Sequence, residues 1–264
     1  MSLLSGTVLV TGATGGIGRA IARAFGSRGA KLVLTGRRAE LLETLGAGLG
    51  ARVIACDLSS RPEVERLIER AGAVDVLIGN AGVPAGGSLI ELAQEEIDRA
   101  LEINLRAPIA LARGLAPAMV DRRRGHIVLV SSLQGKATTP AASVYSATKF
   151  GLRGFALGLR QDLRPFGVGV SLVLPGFVRD AGMLADAGVT LPPGIGTRRP
   201  EDVARAVLSA IERNRAEVEV APFGLRLGTA VASVAPAFSA EVSRRLGSER
   251  IAARIVDAQR ALRR

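Results

Sequence analysis

Several residue types are almost absent from this chain of 264 residues, and their scarcity excludes whole classes of mechanism. The single cysteine, Cys56, leaves no partner for a disulfide within the chain, which favours a reducing, cytoplasmic location. Cys56 follows the apolar run Arg52–Ala55 and is interpreted as a small buried residue rather than a nucleophile. The only histidine, His126, has no second histidine to share a zinc ion with. We therefore expect no metal site.

The basic composition does not by itself indicate nucleic-acid binding. The net charge is +11, but the 32 Arg and three Lys residues are spread along the whole chain. One Tyr, seven Phe and no Trp leave few aromatic platforms on which bases could stack. No run approaches the ~18 apolar residues that span a bilayer, and the uncharged N-terminal segment lacks the basic part of a signal peptide. We expect neither a nucleic-acid partner nor a spanning helix.

Short apolar runs alternate with longer amphipathic stretches along the first 220 residues. The predicted strands cover residues 7–11, 31–35, 52–55, 74–79, 125–131, 168–174 and 217–221. The predicted helices cover residues 16–27, 38–49, 62–70, 94–120, 143–164 and 200–213. This alternation predicts an α/β fold of Rossmann type, a doubly wound parallel sheet with helices on both faces. We expect one catalytic domain over residues 1–222 and a helical, Arg-rich extension over residues 223–264.

A glycine-rich turn follows the first predicted strand and opens a helix. Residues 11–18 read TGATGGIG. Gly12 allows a tight turn, Gly16 the close approach of the backbone to a pyrophosphate, and Gly18 close packing of helix on strand. The free N–H groups of the helix N-terminus attract phosphate. The segment, including Thr14 and Ile17, predicts a dinucleotide site.

The end of the second predicted strand bears on the choice of dinucleotide. NAD enzymes usually carry an acidic residue there for the ribose 2′-hydroxyl, whereas Arg favours a 2′-phosphate. This chain has Arg37 and Arg38 and no carboxylate at that point. The two residues could merely solvate a helix start, but a basic pair is unfavourable at that end of the helix dipole. NADP is therefore predicted, with NAD as the weaker alternative.

Tyr145 and Lys149 lie four residues apart, on one face of a predicted helix. An ammonium beside a phenol lowers the phenol pKa, and such a tyrosine can exchange a proton with a carbonyl or alcohol oxygen. A solvent-facing pair would look the same in isolation. Ser132 ends the fifth predicted strand, and Asn104 lies in the long predicted helix before it. The four residues are candidates for one catalytic group.

Together these residues resemble the short-chain dehydrogenase/reductase family, in its compact branch. The resemblance covers roughly residues 5–222 and includes three further elements, Asp57-Leu58, Asn80-Ala81-Gly82 and Pro175-Gly176. The glycine spacing also fits the longer branch that includes sugar epimerases. Members of that branch carry a substantial additional C-terminal domain, so from the length of 264 residues we expect the compact branch.

The resemblance implies a role for each matching residue. Tyr145 would be the general acid or base, Ser132 would position the substrate oxygen, and Lys149 would hold the nicotinamide ribose and lower the Tyr145 pKa. Asn104 would anchor a water of the proton relay. The remaining residues would line the cofactor site: Asp57, at the adenine, with Leu58, then Asn80, Ala81 and Gly82, and Pro175 with Gly176 beside the nicotinamide. One departure is Asp180, where the family usually has a Thr.

The resemblance implies hydride transfer between NADP(H) and a small-molecule carbonyl or alcohol substrate. A loop over residues 177–199 would form much of the substrate pocket. Its apolar residues suggest an apolar or amphipathic substrate; they are Met183, Leu184, Val189, Leu191 and Ile195. The alternative is a catalytically silent protein of the same fold that senses the dinucleotide. Such proteins typically lose the Tyr or the Lys, and both are kept here.

Two helices rich in small residues suggest a homodimer or homotetramer. The small residues are Ala107, Ala110, Ala112, Gly151, Gly154, Ala156 and Gly158. Small side chains let helices approach closely, and related enzymes pair through these helices. The alternative is tight packing within one subunit.

The tail combines apolar and basic segments. Residues 227–240 carry no charge, and a later apolar stripe with Arg around it contains Ile251, Ile255, Ala258 and Leu262. An Arg-rich amphipathic helix can bind a membrane surface. We favour the other interpretation, in which the tail packs against its own domain or a neighbouring subunit.

Overall fold

The computed structural model describes residues 2–182, 188, 196–245 and 248–261, and its strands form one parallel sheet. The strands are β1 (Thr7–Thr11), β2 (Lys31–Gly36), β3 (Arg52–Ala55), β4 (Val76–Gly79), β5 (Gly125–Val130), β6 (Val168–Pro175) and β7 (Glu217–Val220). They lie in the order β3-β2-β1-β4-β5-β6-β7. The predicted α/β class with a doubly wound parallel sheet is confirmed, and the predicted strand ends differ by only one or two residues.

The strand order reverses at β1. The chain builds β2 and β3 on one side of β1 and then crosses to build β4 to β7 on the other. β1 pairs in parallel with both β2 and β4, for example through Val8 with Leu32 and with Val76. A crevice therefore opens beyond the carboxyl ends of β1 and β4, where open α/β sheets bind ligands.

Helices cover both faces of the sheet. They are α1 (Gly16–Gly26), α2 (Ala39–Leu49), α3 (Arg61–Ala71), α4 (Gln94–Leu101), α5 (Ala107–Asp121), α6 (Ser143–Leu163) and α7 (Pro200–Glu212). Leu67, Leu111 and Leu152 pack on one face of the sheet, and Phe25 and Val207 on the other. Burying a side chain such as Phe25 contributes about 2–3 kcal/mol.

The predicted helix over residues 94–120 is present, but it is not regular throughout. The segment divides into α4, a π-helical turn over Glu102–Arg106, and α5. Pro108 is the physical reason, because it has no N–H to donate to the Asn104 carbonyl four residues earlier. The Ala107 N–H donates to the Glu102 carbonyl instead, which is the wider hydrogen-bond pattern of a π turn.

Cys56 and His126 are both buried among core residues. Burial, followed by the Glu63 and Asp57 carboxylates, raises the pKa of Cys56 to about 11, so the thiol is protonated. Burial also lowers the pKa of His126 to about 4, and its Nε2 lies 2.8 Å from the Ser171 Oγ. Within the described ranges, no group of side chains is arranged to hold a metal ion.

Three helices follow β7: α8 (Phe223–Val234), α9 (Pro236–Arg245) and α10 (Ser248–Ala261). The expected helical C-terminal part is therefore confirmed. Among the described residues, no helix has the length and apolar character needed to cross a membrane. The two ends of the predicted substrate loop are joined, since Val178 bridges Arg198. The apolar loop residues singled out above, from Met183 to Ile195, lie outside the described residues, as does Leu262 of the tail.

Candidate active site

A cleft of about 910 Å³ lies at the carboxyl ends of the central strands. Every predicted site residue except Asn104 lines it: Gly12, Thr14, Gly16, Ile17, Gly18, Arg37, Arg38, Asp57, Leu58, Asn80, Ala81, Gly82, Ser132, Tyr145, Lys149, Pro175 and Gly176. This volume is typical of sites for cofactors and small molecules. The fold thus brings the glycine turn, the Arg pair and the catalytic candidates into one cavity.

The glycine turn is shaped by contacts that exclude a side chain. Gly12 has a φ of 64°, in the left-handed region that favours glycine, and a Cβ there would lie 2.9 Å from the Ala81 Cα. A Cβ on Gly18 would collide with the Gly12 carbonyl, and one on Gly16 with Ala181. No side chain caps the N-terminus of α1. Its N–H groups are therefore presented to the cleft, which fits a bound phosphate.

Thr11 ties the glycine turn to the end of β4, a role that sequence reasoning missed. Its hydroxyl accepts from the Asn80 and Ala81 N–H groups, both at 3.0 Å, and donates to the Ile78 carbonyl at 3.3 Å. The Asn80 amide in turn donates to the Thr11 carbonyl at 3.0 Å. Asn80 therefore holds the cleft floor together, and its amide is engaged within the protein. The available sequence signal for this role was the position of Thr11, a polar residue at the end of an apolar strand.

The two arginines at the end of β2 are not equivalent. The Arg38 Nη2 donates to the Thr14 carbonyl at 3.0 Å and to its Oγ1 at 3.3 Å, so Arg38 braces the glycine turn. Arg37 is exposed at the cleft. The nearby Thr35 Oγ1 is buried without a hydrogen-bond partner among the described residues. A polar ligand in this part of the cleft would supply the missing partner.

Asp57 lies in the same part of the cleft and is ionised. Burial alone would raise the pKa of its carboxyl, but the Ser59 N–H and hydroxyl, helped by Arg99 and Arg37, bring that pKa below its ordinary value. The two bonds from Ser59 measure 3.0 and 2.8 Å, and both end on Oδ1. The carboxylate is therefore held in place and stays an acceptor at neutral pH.

Tyr145, Ser132 and Lys149 converge in the cleft. A hydrogen bond joins Ser132 to the Tyr145 hydroxyl, and the Ser132 Oγ accepts from the Gln134 N–H at 3.1 Å. The bond from Gln134 uses only a lone pair of Ser132, so its hydroxyl proton can be donated to an oxygen at Tyr145. The Lys149 Nζ lies 5.5 Å from the centre of the Tyr145 ring. No acidic side chain in the described ranges lies within ion-pairing distance of that ammonium.

The expectation that Lys149 lowers the Tyr145 pKa needs a correction for the free protein. Burial raises the pKa of Tyr145 to about 12, and the hydrogen bond from Ser132 opposes it only in part. Burial also lowers the pKa of Lys149 to about 8. Desolvation disfavours the charged form of both groups, and it is the largest cause of the shift at each of them. The tyrosine is therefore a protonated acid in the free protein.

Asn104 lies beside the cleft rather than on its wall. Its Oδ1 accepts from the Val83 N–H at 2.8 Å, and its Nδ2 donates to the Val83 carbonyl at 2.9 Å. The side chain thus holds the loop that follows β4. The backbone carbonyl of Asn104 has no α-helical donor four residues later because residue 108 is proline, whereas its side-chain amide is engaged by Val83.

The far end of the cleft is apolar, and part of its wall comes from the tail. Leu225 and Thr229 of α8 line it, as do Ala252, Ile255 and Val256 of α10. Phe177 and Val178 add to this wall from the loop after β6. By contrast Asp180 has a φ of 63° and a side chain that is 75% exposed, and it is not among the described lining residues. No sequence motif marks the residues of α8 and α10 that form this wall, and the lining of the cleft by the tail was not predicted from the sequence.

Comparison with known proteins gives one family. The family model described as short chain dehydrogenase matches residues 6–190. Ketoacyl reductase HetN of Nostoc is 38% identical over 230 residues, covering 83% of this chain and 80% of that protein. Dehydrogenase/reductase SDR family member 7B of Bos taurus is 34% identical over 81% of this chain and 73% of its own length.

Similar solved structures belong to the same family. A short-chain dehydrogenase from Sphingobium yanoikuyae in complex with NADPH superposes with a TM-score of 0.75 at 32% identity, over 81% of this chain and 87% of that one. A metagenomic short-chain oxidoreductase in complex with NADP gives a TM-score of 0.70 at 36% identity, over 83% and 98%. At these identities the likeness extends beyond fold alone.

Proposed function

Because this chain belongs to the short-chain dehydrogenase family, we propose that it interconverts a carbonyl compound and its alcohol with NADP(H), using Tyr145 as the acid–base. One observation carries the proposal. Tyr145, Ser132 and Lys149 line the same cleft as an uncapped helix N-terminus and its glycine turn. This combination provides a proton donor next to a phosphate-binding turn, which is what such a reaction needs.

The residues divide the reduction between them. When bound, NADPH supplies a hydride to the carbonyl carbon. Tyr145 gives its hydroxyl proton to the carbonyl oxygen, so that the product is the alcohol, and oxidation runs the same steps in reverse. Ser132 donates its hydroxyl proton in a hydrogen bond to that oxygen, while the bond that it accepts from the Gln134 N–H holds the hydroxyl in place. The Lys149 ammonium stabilises the phenolate left on Tyr145, and the Asn104 carbonyl binds a water through which the proton is replaced.

NADP is proposed over NAD on the charges at the end of β2. Arg37 is exposed at the cleft and is free to bind a 2′-phosphate, while Arg38 braces the glycine turn. Two structural relatives were solved with NADPH and NADP respectively. The unpartnered Thr35 hydroxyl and the glycine cradle also fit a dinucleotide in this half of the cleft.

The apolar far end favours an apolar or amphipathic substrate. Side chains such as Leu225, Ile255 and Val256 offer no hydrogen bonds there. A substrate with hydrocarbon next to its carbonyl therefore gains binding free energy by burying that hydrocarbon.

We further propose a homodimer or homotetramer in the cytoplasm. Gly154 and Gly158 leave open space on the surface of α6 for a second helix, and the lone Cys56 needs no oxidising compartment.

A substrate screen tests the proposal. Purified protein is mixed with NADPH or NADH and a panel of ketones, aldehydes and ketoacyl thioesters of increasing chain length, and the absorbance of the reduced nicotinamide is followed. We expect turnover with NADPH that improves with hydrocarbon length and falls by about 10²–10⁴-fold in Tyr145→Phe. Tight NADPH binding without turnover on any member would instead support the silent, cofactor-sensing alternative.

A further inference from the structure

The outer surface of α8 and α9 carries a row of exposed apolar side chains, here called the outer stripe. Phe223, Val234 and Phe238 are 76%, 87% and 64% exposed, which is far more than a large apolar side chain usually shows. The other members of the outer stripe are Leu227, Val231 and Val242. On α8 the spacing of four, four and three residues places them along one side of the helix.

The orientation of α8 keeps the outer stripe exposed. Leu225 packs against the core and Thr229 is buried, so the opposite side of the helix is fixed to the domain. The Ser233 hydroxyl also donates to the Lys136 carbonyl at 3.1 Å, and Arg226 pairs with Glu219 at 3.3 Å. A rotation that buried the outer stripe would break these contacts. The favoured expectation that the tail packs on its own domain thus describes the inner side of α8 and the cleft-lining residues of α10, but not the outer stripe.

Charge distinguishes the partners that such a surface could take. Residues 227–240 are uncharged, and the run is bordered by Arg226 at one end and by Glu241 at the other, with Arg244 and Arg245 following. Glu241 pairs with both of the latter. Over residues 223–264 there are eight Arg and three acidic residues, so the tail carries a charge of +5 (8 − 3). A second copy of this chain would bring the same positive charge, whereas anionic lipid headgroups would neutralise it.

We propose that the outer stripe of α8 and α9 docks on the surface of an anionic lipid bilayer. The apolar side chains enter the boundary of the acyl region while the exposed Arg244 and Arg245 side chains reach the headgroups, as in other helices that lie in the interface. The inner side of α8 lines the apolar end of the cleft. Docking therefore brings the cleft next to the lipid, one helix diameter away. The docking itself does not depend on the proposed reaction.

Vesicle binding tests the proposal with the full chain. Sedimentation is measured with vesicles of phosphatidylcholine alone and of phosphatidylcholine mixed with phosphatidylglycerol. The test variant changes the outer stripe at four positions, F223S, L227S, V234S and F238S. The matched control changes two exposed apolar residues elsewhere, L41S and I90S, which are 50% and 93% exposed. All three proteins are first compared by thermal unfolding and by NADPH binding.

We expect the wild-type chain and the control to bind the anionic vesicles at least tenfold better than the neutral ones, and the stripe variant to lose at least tenfold in binding. No binding by the wild-type chain would overturn the proposal. So would equal binding by the stripe variant, since charge alone would then be responsible. A fall in molar mass in the stripe variant, with no vesicle binding by any protein, would identify a second copy of this chain as the partner.

Discussion

The side chain of Asn104 forms two hydrogen bonds with the backbone of Val83, accepting at 2.8 Å and donating at 2.9 Å. Because the amide is buried, Asn104→Asp should lower the free energy of unfolding by about 1–3 kcal/mol, since a carboxylate would face the Val83 carbonyl without a proton to donate. Turnover should fall as well, because the loop from Asn80 to Gly86 lines the cleft. Chemical denaturation and kcat measure the two effects. Unchanged stability in Asn104→Asp would contradict this account of the pair.

Substitutions of Arg37 and Arg38 should have different effects on cofactor affinity. Wild-type protein should bind NADPH at least about tenfold more tightly than NADH, equivalent to ~1.4 kcal/mol. Arg37→Gln should remove most of that preference by weakening NADPH alone. Arg38→Gln should weaken both cofactors, because it loses the bonds to Thr14 that brace the glycine turn. Calorimetric titration gives all the affinities, and equal affinity of the wild-type chain for both cofactors would refute the selectivity.

We expect the buried Lys149 ammonium to lower the free energy of unfolding of the protein without its cofactor. Burial lowers its pKa from 10.5 to about 8, so the unfolded chain binds this proton more firmly than the folded one. The cost is fully present below pH 8 and falls as the pH rises toward 10.5. Lys149→Met should therefore raise the free energy of unfolding at neutral pH by about 1–3 kcal/mol while abolishing turnover.

A matched control for this change is Lys31→Met, because Lys31 is exposed. It should leave stability almost unchanged at every pH. Between pH 8 and 10 the wild-type chain should gain stability relative to Lys149→Met. A Lys149→Met protein that is less stable than wild type at neutral pH would show that the ammonium has a stabilising partner.

Oligomerisation through α6 should respond to the size of the residue at 154. Within the subunit, a Cβ at Gly154 meets no atom within 4 Å, so Gly154→Leu leaves the isolated fold intact and should even favour the helix by about 0.5–1 kcal/mol. It would nevertheless block close approach of a second helix. Light scattering should show a dimer or tetramer for the wild-type chain and a monomer for Gly154→Leu. The control is Gly48→Leu, at another open helix position, and identical masses for all three would exclude this interface.

The sequence was most informative where side-chain type and backbone geometry are directly linked. Strands β1 to β6 follow from their apolar runs, and the glycine turn follows from Gly12, whose φ of 64° few other residues adopt. The role of the small residues in α5 and α6 was ambiguous from the sequence. Ala107 and Ala156 are buried within the subunit, whereas Gly154 is open, and a sequence does not separate the two because both uses select small side chains.

Other features depend on tertiary contacts that leave no local pattern. The bond from Arg38 to Thr14 and the cleft wall formed by α10 join segments far apart in the chain. The π turn had a local signal that was overlooked, Pro108 four residues after Asn104. The Tyr145 pKa depends on burial, which the spacing of Tyr145 and Lys149 does not report.

The most direct test of the account compares Tyr145→Phe with the wild-type chain on a substrate identified by the screen. The change removes only the hydroxyl oxygen that exchanges the proton. We predict that kcat falls by about 10²–10⁴-fold, the usual contribution of a positioned acid–base group, while the Kd for NADPH changes less than about twofold, or ~0.4 kcal/mol. A Tyr145→Phe protein that keeps near-wild-type kcat would contradict the assignment of Tyr145 as the acid–base.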